Sequence, residues 1–162
     1  MIRVIDGDLI ALAQQGAFDV IAHGCNCFCR MKRGIAPQMA AAFGCDKFSL
    51  EENSHVGEID KLGRIEWNMV DRITIPLIIV NMYTQYHWEN PGTKGIPLEY
   101  GALYTCLIKL NHTFRGKRIG LPKIGCGLAG GDWRTVGAII DITMKNCNVT
   151  VVNYPPKTLN FV

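Results

Sequence analysis

Serine is scarce in this chain: Ser49 and Ser54 are the only two in 162 residues, and no stretch is rich enough in proline, glycine or serine to read as a linker. There is no internal repeat. No apolar run approaches the ~20 residues that a membrane span needs. The opening Met1-Ile2-Arg3-Val4-Ile5-Asp6 lacks the layout of a signal peptide, so the cytoplasm is the expected location. The excess of either sign of charge is small. Seventeen basic against fourteen acidic residues leave a net +3, and a sequence-blind nucleic-acid binder usually has a domain pI above ~9. A Gly-Lys-Ser/Thr ending for a nucleoside-triphosphatase loop is missing, as is the Gly-x-Ser-x-Gly of a serine hydrolase. Local phosphate sites are left open by these absences; membrane and general nucleic-acid roles are not favoured.

What is present is the composition of one globular domain spanning residues 1–162, with 48% hydrophobic and 19% charged residues. A chain of this length buries roughly 70% of the surface it exposes when unfolded, enough to stand without disulfides or structural metal. Seven cysteines, an odd number, therefore fit a reducing compartment better than a disulfide framework.

Strand-length apolar runs alternate with stretches of helical period, which predicts an α/β sandwich with a mixed, largely parallel sheet covered on both faces. Strands are expected at Ile2–Ile5, Asp19–His23, Ile75–Asn81, Ile119–Pro122 and Val149–Val152, with a hairpin between His55 and Val70. Asp8 stands where an N-cap is wanted for a helix from Leu9 to Gln15. Pro37 suits the first turn of a helix that Gly44 ends. Leu98, Ala102, Leu103, Cys106, Leu107 and Leu110 form a core-facing stripe, and Asp132 caps a helix running to Lys145 with Val136, Ile139, Ile140 and Met144 inward.

Two glycine-bearing loops, Arg33-Gly34-Ile35-Ala36 and Gly125 to Gly131, each follow a strand and precede a helix. Such loops are either tight turns or anion nests, where free N–H groups at a helix N-terminus meet a phosphate. Gly125-x-Gly127-x-x-Gly130 matches the dinucleotide fingerprint literally. That reading fails because one strand alone follows the motif and it ends at Asn153 rather than at an acid. Cys25, Cys27 and Cys29 beside His23 do not have zinc-ligand spacing, and no second ligand pair stands out. His23 closes a predicted strand at the sheet's carboxyl edge, where open α/β sheets bind ligands, so it is either a core histidine or a site residue. Asp132 is either an N-cap or a carboxylate facing the second loop.

In chain order these residues resemble the macrodomain family, the ADP-ribose-binding three-layer α/β/α fold with a central mixed sheet, over almost the whole sequence. The elements are Val4-Ile5-Asp6-Gly7-Asp8-Leu9, then His23-Gly24-Cys25-Asn26-Cys27 with Arg33-Gly34-Ile35-Ala36, then Leu121-Pro122-Lys123-Ile124-Gly125-Cys126-Gly127-Leu128, then Asp132-Trp133. The resemblance implies that Asp8 meets the adenine, with Leu9 beside it in the ADP-ribose site, Asn26 the distal ribose, and Gly34, Ile35 and Ala36 one side of the diphosphate. It further implies that Lys123, Ile124, Gly125, Cys126, Gly127, Leu128 and Ala129 form the second phosphate loop, and that Tyr154 lies against the adenine.

Histidine followed by Cys-Asn-Cys is similar to yeast- and phage-type ADP-ribose 1″-phosphate phosphatases. This makes His23 the expected catalytic residue, as nucleophile or general base, with Asp132 beside it, and Lys32, Arg33 or Lys123 as phosphate partners. The alternatives are an ADP-ribosyl hydrolase acting on protein or nucleic acid, and a non-catalytic ADP-ribose-binding module. The glycohydrolases of the family use a lysine after the central strand and an aspartate after Gly-Cys-Gly-Leu. Here Val80-Asn81-Met82-Tyr83 and Ala129 stand at those positions. A small-molecule substrate, no metal, no cofactor and a monomeric state are expected, in the host cytoplasm if the chain is phage-encoded.

Overall fold

The computed structural model describes residues 2–50, 56–70, 74–88 and 97–155. Six strands, β1 (Arg3–Asp6), β2 (Val20–Asn26), β3 (Ile65–Val70), β4 (Leu77–Gln85), β5 (Arg118–Leu121) and β6 (Asn148–Asn153), form one sheet in the order β1-β6-β5-β2-β4-β3. All neighbours are parallel except β3, which runs antiparallel to β4 at the edge. Among the described residues four α-helices cover it: α1 (Leu9–Gln14), α2 (Ala36–Phe43), α3 (Tyr100–Thr113) and α4 (Trp133–Thr143).

The layers follow from period-2 alternation. In β2, Val20 and Ala22 join the core under α3 and α4, with Leu103, Leu107, Leu110, Val136 and Ile140. Ile21, one residue out of phase, joins the opposite core under α1 and α2, with Leu9, Ala13, Met39 and Phe43. The β4 strand divides in the same way, Val80 and Met82 to one side and Leu77 and Ile79 to the other. Both central strands are thus apolar on both faces, as the unbroken run Leu77-Ile78-Ile79-Val80 anticipates. No helix among the described residues is long and apolar enough to cross a membrane.

Helix starts agree with the sequence reading. Asp8 accepts from the N–H groups of Ile10 and Ala11, Asp132 from that of Thr135, and Pro37 lies in the first turn of α2. Gly44 closes α2 at φ +67°. Three expectations change. The β2 strand does not stop at His23 but continues through Gly24 and Cys25 to Asn26, because pairing with β4 holds residues whose composition reads as loop. The segment 55–70 is not a hairpin with itself: a short 3₁₀ turn at Ile59–Lys61 leads into β3, whose partner is β4, while position 55 lies outside the described residues. Finally, β4 runs on to Gln85, so Met82 to Gln85 belong to the sheet rather than to the expected loop, whose remainder lies largely outside the described residues.

Candidate functional site

Where β2, β4, β5 and β6 end, the parallel strands point their carboxyl termini into one cleft of about 610 Å³. Sheet order fixes the order of chemistry along it. Asp8 and Tyr154 follow β1 and β6 at one end, the loop after β5 lies in the middle, and the loop after β2 and the end of β4 lie at the other.

At the first end Asp8 uses one carboxylate oxygen, Oδ1, to cap α1, accepting from Ile10 N–H at 2.9 Å and Ala11 N–H at 3.1 Å. Its Oδ2 has no partner among the described residues, and the residue lines the cleft. Tyr154 is 61% exposed beside it. In the middle, the second glycine loop folds on itself: Gly131 N–H donates to Gly125 O and Gly130 N–H to Gly127 O. Gly125 lies at φ +67°, with the space a Cβ would need filled by Leu98. The backbone N–H groups of Gly127, Leu128 and Ala129 donate to nothing among the described residues. The same holds for Gly34, Ile35 and Ala36 at the start of α2. Two sets of unused donors thus line one cleft, an arrangement that attracts an anion. Lys123 adds a cation, its Nζ 5.3 Å from the Trp133 ring centroid.

At the far end Thr84, 1% exposed, lines the cleft with an Oγ1 that has no hydrogen-bond partner among the described residues. A buried hydroxyl left unpaired costs about 1–3 kcal/mol, which a ligand group can recover. Asn26 also lines the cleft and uses most of its amide on the chain. Its Oδ1 accepts from Phe28 N–H and Arg30 N–H, and its Nδ2 donates to Arg30 O at 2.8 Å. Asn26 is therefore the organiser of the loop after β2.

His23 and Asp132 stand apart from this surface. Because β2 runs on to Asn26, His23 sits in mid-strand on the Ile21 face, wholly buried. Asn81 Nδ2 donates to Cys45 O at 2.9 Å, which turns Asn81 Oδ1 toward the imidazole; Nε2–H donates to it at 2.8 Å. Burial lowers the His23 pKa to about 4, against the raising effect of the Asn81 bond, and Nδ1 has no partner among the described residues. The Sγ atoms of Cys25 and Cys45 each lie 3.7 Å from Nε2. Both thiols are held protonated by burial, Cys45 with a pKa pushed up to about 12. Asp132 is exposed, and its Oδ2 accepts from both the N–H and the hydroxyl of Thr135. Those bonds hold its carboxyl below the ordinary range. Among the described residues no group of three or more histidine, cysteine or acidic side chains is arranged to hold a metal ion.

All the other expected site residues line the cleft: Asp8, Leu9, Asn26, Gly34 to Ala36, Lys123 to Ala129, and Tyr154. Sequence reasoning missed Arg30, Thr84, Gln85 and Trp88, which also line it. The signal for Thr84 and Gln85 was there to be used, since β4 simply extends past Asn81.

Set against known proteins, the chain matches no family model. It is 32% identical over 166 residues to an uncharacterized 17.5 kDa protein in the tk-vs intergenic region of Enterobacteria phage T4, covering 96% of this chain and 98% of that one. The chain belongs to the family of that phage protein. Its fold is the macrodomain fold. The macrodomain of Mycobacterium tuberculosis DarG superposes with a TM-score of 0.74 at 23% identity, covering 97% of this chain and 99% of the other. A Trypanosoma brucei macrodomain solved with ADP-ribose superposes with a TM-score of 0.62 at 12% identity, covering 94% of this chain and 63% of its own. With this fold the chain has the three-layer architecture expected from its motifs, with the cleft at the carboxyl edge of its sheet.

Proposed function

We propose that the cleft binds ADP-ribose. One observation carries this reading: two sets of unused backbone N–H groups, Gly34–Ala36 and Gly127–Ala129, line a cleft that has a free carboxylate oxygen of Asp8 at one end and the unpaired Thr84 hydroxyl at the other. The adenine amino group donates to Asp8 Oδ2 with its ring against Tyr154, the diphosphate lies over the two loops, and the terminal ribose meets Thr84. The Trypanosoma macrodomain of like fold is a complex with that ligand. Calorimetric titration with ADP-ribose tests the reading, with AMP and ribose 5-phosphate as part-ligands. Micromolar binding of ADP-ribose with weaker binding of both fragments is expected; no heat for ADP-ribose at millimolar concentration overturns it.

Hydrolysis of ADP-ribose 1″-phosphate is the second reading, favoured by Lys32 and Arg33 on the cleft wall next to the terminal ribose. Its chemistry needs a neutral imidazole, and the low pKa of His23 supplies one at neutral pH. Reach opposes it, because the buried ring touches Asn81, Cys25 and Cys45 rather than the cleft. Binding is therefore the conclusion and turnover the finer proposal. Incubation with ADP-ribose 1″-phosphate, scored for inorganic phosphate in the wild type and in His23→Ala, separates them. Phosphate release that His23→Ala abolishes supports the phosphatase with His23 as its base or nucleophile. Release unchanged in His23→Ala removes that role, and no release from either leaves a binding module.

A further inference from the structure

Among the described residues the sheet ends in two edge strands, and the chain treats them differently. An unpaired edge offers a row of N–H and C=O groups to any other strand, and short length and exposed charge are the usual protection. The β1 edge has both: it is four residues long, with Arg3 and Asp6 exposed at its ends. The β3 edge is six residues long, Ile65-Glu66-Trp67-Asn68-Met69-Val70, without lysine or proline. Its one charged side chain, Glu66, is turned onto the chain, where it accepts from the buried Lys61 ammonium and from the Tyr83 hydroxyl. Trp67 and Met69, by contrast, are each 49% exposed.

Which backbone groups face outward follows from the ladder. Tyr83 N–H donates to Arg64 O at 3.0 Å, and bonded pairs alternate along an antiparallel ladder. Glu66, Asn68 and Val70 therefore spend their backbone groups on β4, and those of Ile65, Trp67 and Met69 point away from it. Met69 N–H accordingly finds a side chain, Asn68 Oδ1 at 2.9 Å, rather than a strand. The same three residues put their side chains on the α3 side of the sheet: Ile65 packs on that core, and the Trp67 ring meets Phe114 edge-on at 5.5 Å. Free backbone and apolar surface thus coincide on one triplet.

That triplet is complementary to itself. Opposite residues of an antiparallel pair share a face, so two copies related by a two-fold axis through Trp67 set Trp67 against Trp67 and Ile65 against Met69. The α3 side becomes an unbroken apolar ladder. On the other side Glu66 meets Asn68, a carboxylate against an amide, and no like charges stand directly opposite. An unrelated strand would match this order by chance, whereas a second copy matches it by symmetry. The extent is adequate as well. Six residues at about 3.3 Å each give an edge about 20 Å long, and a sheet flanked by helices about 10 Å across is roughly 25 Å thick, so each copy covers on the order of 500 Å². The total of about 1,000 Å² reaches the lower bound of a specific interface. Helix α3 packs on β4, and β4 would lie three strand spacings from its copy, about 14 Å, wider than the roughly 8–10 Å of helices in contact. Tryptophan and methionine from each copy are large enough to fill the channel between.

We propose that β3 is a dimerisation edge, at which a second copy of this chain continues the six-stranded sheet antiparallel, with Trp67 on the two-fold axis. The strands of the second half run the other way, so the two clefts open at opposite ends and neither copy reaches the other's ligand. This replaces the monomer expected from the sequence, and it is independent of what the cleft binds.

Sedimentation equilibrium of the wild type from about 1 µM to several hundred micromolar tests it, because an interface at this size limit holds in the micromolar range. A concentration-dependent rise from 18.0 kDa toward twice that mass is expected. Trp67→Lys and Trp67→Glu should each weaken dimerisation roughly 10-fold or more, by setting like charges face to face, whereas an equimolar mixture of the two should associate several-fold more tightly than either alone. Met69→Lys, away from the axis, should weaken it too, which keeps the test decisive if a Trp67 variant fails to fold; circular dichroism and melting temperature report on folding. A wild type that stays at 18.0 kDa throughout overturns the proposal and leaves the edge to an extended segment of a different protein. A dimer that survives both Trp67→Lys and Met69→Lys overturns it by placing the contact on another face. Trp67 variants that are monomeric alone and no better when mixed overturn the register centred on Trp67.

Discussion

Gly127 and Gly131 are four residues apart in the same loop, and the chain surrounds them in opposite ways, which allows binding and folding to be separated. A Cβ built on Gly127 meets nothing within 4 Å, and the residue lines the cleft. A Cβ on Gly131 comes 2.4 Å from Leu98 Cδ2 and 2.7 Å from Gly125 O, a backbone atom that cannot step aside cheaply. Gly127→Val should therefore leave the fold alone and place two methyl groups over the donors of Gly127, Leu128 and Ala129. Losing two charge-assisted bonds of about 1.5–3 kcal/mol each weakens ADP-ribose binding by about 3–6 kcal/mol, at least 100-fold in Kd. Gly131→Ala should instead cost about 1–3 kcal/mol of stability through overpacking. For a domain of this size that lowers Tm by roughly 3–10 °C. Calorimetry with ADP-ribose and thermal unfolding on the same preparations check both variants. A Gly127→Val protein that melts like the wild type and still binds at micromolar concentration refutes the phosphate cradle; one that fails to fold refutes the claim that the position is open.

Three more outcomes are expected. Asp8→Asn keeps a cap acceptor but no carboxylate charge, so it should retain the wild-type Tm within about 2 °C while losing roughly 10-fold in ADP-ribose affinity, whereas Asp8→Ala should lose about 1 kcal/mol of stability as well. The lowered pKa of His23 means that the unfolded chain takes up a proton between about pH 6.5 and pH 4 that the folded chain refuses, so stability falls with acidification across that window, by on the order of 3 kcal/mol. Urea unfolding at pH 7 and pH 4.5 should show this component in the wild type and not in His23→Gln; equal acid sensitivity in the two refutes it. EDTA should leave ADP-ribose binding unchanged by calorimetry, and a loss restored by zinc would contradict the donor arrangement.

Much of the fold could be read from local signals because they act locally. Asp8, Asp132 and Pro37 mark helix starts by satisfying, or not needing, the first N–H groups of a helix, and the structure uses each of them in that way. The two glycine loops were visible for a similar reason. Gly24 and Asn26 were misleading: glycine and asparagine favour turns in isolation, and only pairing of β2 with β4 makes them strand. The resulting three-residue extension moves His23 from the sheet edge into the interior. The pairing of Arg30 with Trp88 was beyond the reach of sequence, since 58 positions separate them and no periodicity connects a loop after one strand to the end of another. Asn26 shows the converse limit. Its position at the cleft was expected, but not that its Oδ1 and one Nδ2–H also organise the loop, leaving the second Nδ2–H for a ligand.

Among the described residues the edge strand β1 is bonded to β6 alone, and the two feed Asp8 and Tyr154 into the same end of the cleft. A ligand held there spans residues that lie 146 positions apart in the sequence, so it acts as a removable clasp between the first and last strands of the sheet. Occupancy should then be felt along β1 as well as at the cleft. At a free-ligand concentration of 100 times Kd, mass action adds about 2.7 kcal/mol to the free energy of global opening. Local fraying of β1 is suppressed on top of that wherever it requires Asp8 to let go. The amides of Arg3 to Asp6, weakly protected at an open edge, become the place where the chain itself reports that the cleft is filled.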